Sequence, residues 1–241
     1  MKAILFGLLT LVIFSSAQAQ DPYGLPLDDN KTFLEENPGL YDSLFTKLLS
    51  GDSLEFKDRV TIYYGVAYQD NYAPYGQGFA LTSVNDHLKN EQYDSAAAEG
   101  QKVLETTALN LKAMLYTAYA YKMAKDSMAS KKYYNMYYSM LAVPYNSGDG
   151  ASEKSAFVVS SVQDEYLILD EVPGKFSGQA LVSKGGSSYD VMTLNTEDGE
   201  NKLYFNIDQP FGIGLAGMMG GSKPSKKSKK KKKRKKRKNK D

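Results

Sequence analysis

Acidic residues have the strongest claim to chemistry in this chain. Asp149, Asp164, Glu165 and Asp190 fall in one stretch of its second half. Two carboxyl groups flanking a glycosidic bond suffice for its hydrolysis, one as acid and the other as base or nucleophile. Linear spacing does not set the separation this requires, so turn and solvent-facing roles stand beside the catalytic one. Nucleophilic catalysis has less to draw on. His87 is the only histidine, in a polar stretch where a surface or capping role is expected, and there is no cysteine. No serine lies in a nucleophile-elbow pattern. A zinc site would need one His plus carboxylates, an unusual set, and no metal or other cofactor is expected. Asn195 to Asn201 lacks the Asp-x-Asp-x-Asp-Gly spacing of a calcium loop, and Asp198-Gly199 predicts a hairpin turn instead. Gly148-Asp149-Gly150 could cradle an anion through backbone N–H groups, but no Lys-Ser/Thr pair completes a phosphate loop. A turn is expected, with Asp149 bonded to its own backbone.

Tyrosine is the second candidate chemistry: the chain has 19 Tyr and no Trp. Tyr116, Tyr119, Tyr121, Tyr133, Tyr134, Tyr137 and Tyr138 are too many for one buried stripe per helix, so some must face outward or into a groove. A phenol there offers apolar area with a hydrogen-bonding tip, suited to peptide or sugar. Tyr75, Tyr119, Tyr134, Tyr138 and Asp149 are the candidate ligand-binding residues.

The elements that must position these groups lie between two ends of different character. Met1-Lys2, the apolar run Ala3 to Phe14 and Ala17-Gln18-Ala19 form a signal-peptide pattern, residues 1–19, too short for a spanning anchor. Export to the periplasm or the cell exterior is expected, with no transmembrane segment after cleavage. The lack of cysteine excludes lipid attachment through Cys and any disulfide framework. Residues 222–241 hold 14 of the 30 Lys and Arg and one of the 28 Asp and Glu. With Lys2 removed, the body keeps 15 basic against 27 acidic residues. An acidic body thus carries a basic tail that cannot fold alone. Lys226, Lys227, Lys229, Lys230, Lys231, Lys232, Lys233, Arg234, Lys235, Lys236, Arg237 and Lys238 are the expected contacts to an anionic surface. Nucleic acid is not the expected partner, because no aromatics interleave with the charges. Anionic lipid, acidic polysaccharide or the acidic body itself fits better.

Residues 20–37 read as an extended arm. Residues 38–145 read as helical: Leu40 to Leu49 with Gly51 as a left-handed stop, then a helix capped by Ser53 and running to about Tyr68. Stripes at Tyr93–Leu104, Leu111–Tyr121 and Ala129–Met140 follow. Tyr93-Asp94-Ser95-Ala96 beside Asp126-Ser127-Met128-Ala129 approximates the period of tetratricopeptide helix pairs, giving about one and a half repeats. From 146 to 211 the period becomes two, predicting strands at Ala156–Val162, Tyr166–Leu169, Gly178–Val182, Tyr189–Leu194 and Lys202–Ile207. With no helices predicted between them, these should pair in a small, mainly antiparallel sheet covered by the helical array. Residues 212–221 read as a Gly/Met-rich linker. The fold class is therefore α+β: a tetratricopeptide-like helical array, then a small sheet co-folded with it at an ordered corner, Pro144 to Ser152, and a disordered basic tail.

Tyr63-Tyr64-Gly65, Tyr72, Pro74-Tyr75-Gly76, the run from Ser147 to Phe157, Asp164-Glu165-Tyr166 and Leu203 to Ile207 together resemble a family of secreted Bacteroidetes proteins catalogued only as a domain of unknown function. The resemblance spans about Leu40 to Phe211. It implies a tetratricopeptide-like helical part joined to a β part in an exported bacterial protein, with no activity to carry over. Members often have His after the Ala-Phe pair, where this chain has Val158, which removes that position as an acid-base candidate. The expectation is a non-enzymatic binding or scaffold protein whose helical array engages a protein or peptide of the cell envelope. The alternative is a carboxylate-dependent hydrolase acting on an envelope or extracellular glycan.

Overall fold

The computed structural model describes residues 27–214. The expected signal peptide, residues 1–19, and the basic tail, residues 222–241, lie outside the described residues. The helical half begins earlier than expected: Leu27–Glu36 forms a helix, α1, rather than an extended arm. Its polar sequence carries no apolar stripe because its grip is narrow, with Leu34 reaching the space left by the missing side chain of Gly65. Helix α2 (Leu40–Ser50) ends where predicted, Gly51 adopting φ 83° and donating its N–H to Leu48 O. Helix α3 (Phe56–Gly65) follows Glu55, not Ser53, and runs on as a 3-10 turn over Val66–Tyr68. Two short helices, α4 (Gln77–Ala80) and α5 (Thr82–Lys89), were not anticipated; each buries a single side chain, too few to make a period visible.

The three predicted stripes are α6 (Tyr93–Thr106), α7 (Leu111–Met123) and α8 (Ser127–Tyr145). Asn110 and Asp126 cap α7 and α8, accepting from the Ala113 and Ala129 N–H groups at 2.9 Å each. Helix α7 packs against both α6 and α8. Small residues set the approach: Ala96, Ala97 and Ala120 form their own buried cluster. A side chain at Gly100 would collide with Thr117.

After the corner come β1 (Phe157–Val158), helix α9 (Val162–Leu169), β2 (Lys175–Lys184), β3 (Ser187–Thr196) and β4 (Gly199–Asn206). The sheet order is β1-β4-β3-β2, with β1 parallel to β4 and the other pairs antiparallel. Helix α9 corrects the expected strand at Tyr166–Leu169 and the expectation of no helix in this half. Ser161 caps it, its hydroxyl accepting from the Gln163 N–H. Leu167, Ile168 and Leu169 are all buried, so the helix is apolar around much of its circumference and shows no single stripe. The start of the expected linker is likewise ordered, since Gln209–Gly214 forms a π-helical turn.

One hydrophobic core runs through both halves, including Ile62, Tyr63 and Met140 with Ile168, Met192 and Phe205. The corner between them is tightly bonded. Asp149 and Gly150 N–H groups both donate to Ser155 O, and Tyr204 N–H donates to Gly150 O. Gly150 sits at φ 69°, while Gly148 is hemmed in by the Ser155 and Ala156 carbonyl oxygens. No described helix is long and apolar enough to cross a membrane.

Candidate functional site

The strands and α9 bring three of the four acidic candidates together. Asp164 and Glu165 lie in the first turn of α9, and Asp190 lies on β3; all three are buried, Glu165 completely. Burial raises each. Asp164 is pushed up to about 7, partly offset by the hydrogen bond from Tyr63. Glu165 is pushed up to about 9, with the Asp190 charge adding to its burial. Asp190 is raised by burial against hydrogen bonds from Gln179 and Glu165. With both groups ionised, neither Glu165 oxygen has a donor among the described residues. Two carboxylates are both acceptors, so the Glu165–Asp190 bond exists only when one of them holds a proton. Nothing that shifts these three groups is a cation.

Tyrosines from the helical half hold this centre. Tyr63 OH donates to Asp164 Oδ2 at 2.7 Å and accepts from the Ser160 N–H. Tyr72 OH donates to Ser160 O at 2.7 Å, and Ser161 Oγ donates to Pro74 O. Gln209 Nε2 donates to Tyr64 O, and its Oε1 accepts from Ser160 Oγ. The segment between β1 and α9 is thus clamped from α3, the loop after it and the C-terminal turn. Tyr75, a candidate ligand residue, stands at the edge of this centre. It is 39% exposed, and its phenol is raised by burial and then by Asp190 and Glu165.

The other candidate tyrosines occupy a separate region. Tyr134 and Tyr138 stack at 6.3 Å along α8, with Tyr138 53% exposed. Tyr119 is exposed on α7. An open hollow of about 390 Å³ at the α7–α8 turn is lined by Lys122, Lys125, Ser127, Ser130, Lys131 and Tyr134. Asp149 joins neither region: its carboxylate accepts from the Ala151 N–H at 2.9 Å within its own turn. His87 contacts Gln92 through Nδ1 at 2.6 Å near the end of α5. No group of three His, Cys, Asp or Glu among the described residues is arranged to hold a metal. The turn at Glu197-Asp198 joins β3 to β4, with Gly199 at φ 120°.

A family model described as "Domain of unknown function (DUF4919)" matches residues 32–213. The chain belongs to this family. The DUF4919 match covers both halves of the fold, the corner, the buried acid centre and the hollow. No curated protein and no solved structure matches the chain.

The pairing of Tyr63 with Asp164 was not visible in the sequence, since 101 residues separate them. A cue to α9 was present: Ser161 stands three residues before Asp164, the spacing of a capping box. The lysines of the hollow were also missed, because Lys122 and Lys131 lie on two helices and Lys125 in the turn between them, and they converge only in the fold.

Proposed function

We propose that this DUF4919 protein is an exported, non-enzymatic binding or scaffold protein of the bacterial envelope. In this reading α6 to α8 form a tetratricopeptide-like array, and its α7–α8 face engages a protein or peptide partner. The observation that carries the proposal is the lysine-lined hollow with the Tyr134–Tyr138 stack beside it. On α8, Ser127, Lys131, Tyr134 and Tyr138 follow one another at helical spacing, so one ridge offers cationic and aromatic contacts together. That combination suits an acidic or aromatic peptide segment. The N-terminal signal pattern supports export, and the Lys/Arg tail supplies salt-sensitive attachment to anionic lipid or polysaccharide.

The glycan hydrolase reading draws less support. Its carboxyl groups do converge, but Asp164 is 3% and Glu165 0% exposed, so neither stands open to a sugar. Placing a photoreactive phenylalanine at Tyr134 or Tyr138 in the full chain, expressed in cells, tests the binding proposal. A dominant adduct from these positions, weakened by Lys131→Glu and absent when the probe replaces exposed Phe33, is expected. No adduct, or the same adducts from Phe33, would refute it.

A further inference from the structure

The sheet face that packs on the helices is not fully covered. Strand β3 sets Asp190, Met192 and Leu194 on that face, and their partners on β2 are Leu181, Gln179 and Phe176. Cross-strand partners share a face, so these β2 side chains point toward the helical layer. Yet Phe176 is 43% and Leu181 57% exposed. Beside them Tyr166 is 42% exposed, makes an edge contact with Phe176 at 6.0 Å, and donates to Gln179 Oε1 at 3.2 Å. Burial and then Glu165 and Asp190 raise the Tyr166 phenol, as burial and then Asp190 and Glu165 raise that of Tyr75. The acid pair is therefore flanked by two half-open phenols, with an exposed phenylalanine at the rim.

This arrangement has acceptors and no cation. Glu165 is wholly buried and is partnered only by Asp190, through a shared proton, and none of the three ion pairs among the described residues involves either residue. Two carboxyl groups sharing one proton keep one negative charge between them, and aromatic faces attract ammonium and guanidinium groups. The chain carries such groups in its own tail. Residues 215–241 add 27 residues beyond the described body, enough at about 3.3 Å each to reach any face of a domain this size.

We propose that Tyr75, Tyr166 and Phe176, with the Glu165–Asp190 carboxyl pair, form a docking site for the chain's own Lys/Arg tail, residues 222–241. A lysine or arginine of the tail lies between the two phenols and supplies the positive charge that the acid pair lacks. Tail and body then hold each other until an anionic surface competes for the tail. The site is separate from the α7–α8 hollow, so either proposal can fail without the other.

The test uses the full chain with the Lys and Arg of 226–238 changed to Gln and a synthetic peptide of residues 222–241 added. Tyrosine-ring NMR resonances report contact. Saturable shifts at Tyr75 and Tyr166 are expected, reversed at about 0.5 M salt, where the Debye length is a few ångströms. Binding should weaken about tenfold in Asp190→Asn, roughly the loss of one partly desolvated charge contact. Tyr166→Ala, a change at an exposed ring, should weaken it likewise and serves if Asp190→Asn does not fold. Shifts confined to other tyrosines, no shifts at all, or full affinity in these variants would overturn the proposal.

Discussion

The two tyrosine-rich regions use one side chain for opposite purposes. Around the acid centre, Tyr63 and Tyr72 are buried and their hydroxyls are committed to Asp164 and Ser160. On the α7–α8 face, Tyr119 and Tyr138 are exposed, and Tyr134 stacks beside lysines. A buried phenol must spend its hydroxyl within the fold, whereas an exposed one keeps it for a ligand. Neighbouring charge divides the regions further, with carboxyls in the first and ammonium groups in the second. The first region fixes how sheet and helices meet, and the second is the face to which the proposed function assigns the partner.

The sharpest way to break this contrast is at the corner that supports the first region. Gly148→Val places a side chain against the Ser155 and Ala156 carbonyls, and Gly150→Val also forces a branched residue to φ 69°. Each should cost about 3 kcal/mol or more. Calorimetry should show one lowered transition, because the core is shared by both halves; two separate transitions would contradict this.

A smaller effect comes from pH. Glu165 is raised to about 9 and Asp164 to about 7 from ordinary carboxyl values near 4. The folded state therefore holds protons that the unfolded state releases, and the stability they contribute is complete below about pH 4. It is lost as pH rises through 7 and 9. The melting temperature should fall between pH 5 and pH 9, and Glu165→Gln, which stays neutral, should flatten much of that slope. An unchanged slope in this variant would show that Glu165 ionises freely in the folded protein. The smallest effect belongs to the second region: Lys131→Glu should alter stability by about 0.5 kcal/mol or less while weakening photoadducts at Tyr134.

How far the sequence reveals this contrast depends on the range of each interaction. Helices α6, α7 and α8 bury regular stripes, and the β3–β4 turn carries Asp198-Gly199, so all were legible from local pattern. Helix α9 was not, because Leu167 to Leu169 are buried on more than one side and mimic a strand. The acidic residues Asp164, Glu165 and Asp190 were recognisable as candidates, but their convergence depends on the register of β3 and the placement of α9. Their burial has no signature in spacing. Tyr75 was a candidate ligand-binding residue without a place in the fold, and it lies beside the acid pair because the loop carrying it is bonded to the start of α9, Ser161 Oγ donating to Pro74 O.

The most direct test of the contrast is a pair of conservative changes, Tyr63→Phe and Tyr138→Phe, melted side by side in the full chain. Tyr63→Phe leaves Asp164 buried without its donor and should lower stability by about 2 kcal/mol in a single transition. Tyr138→Phe removes an exposed hydroxyl and should leave the melting temperature unchanged. Equal losses from the two variants, or no loss from Tyr63→Phe, would contradict the division of the tyrosines into a structural and a binding set.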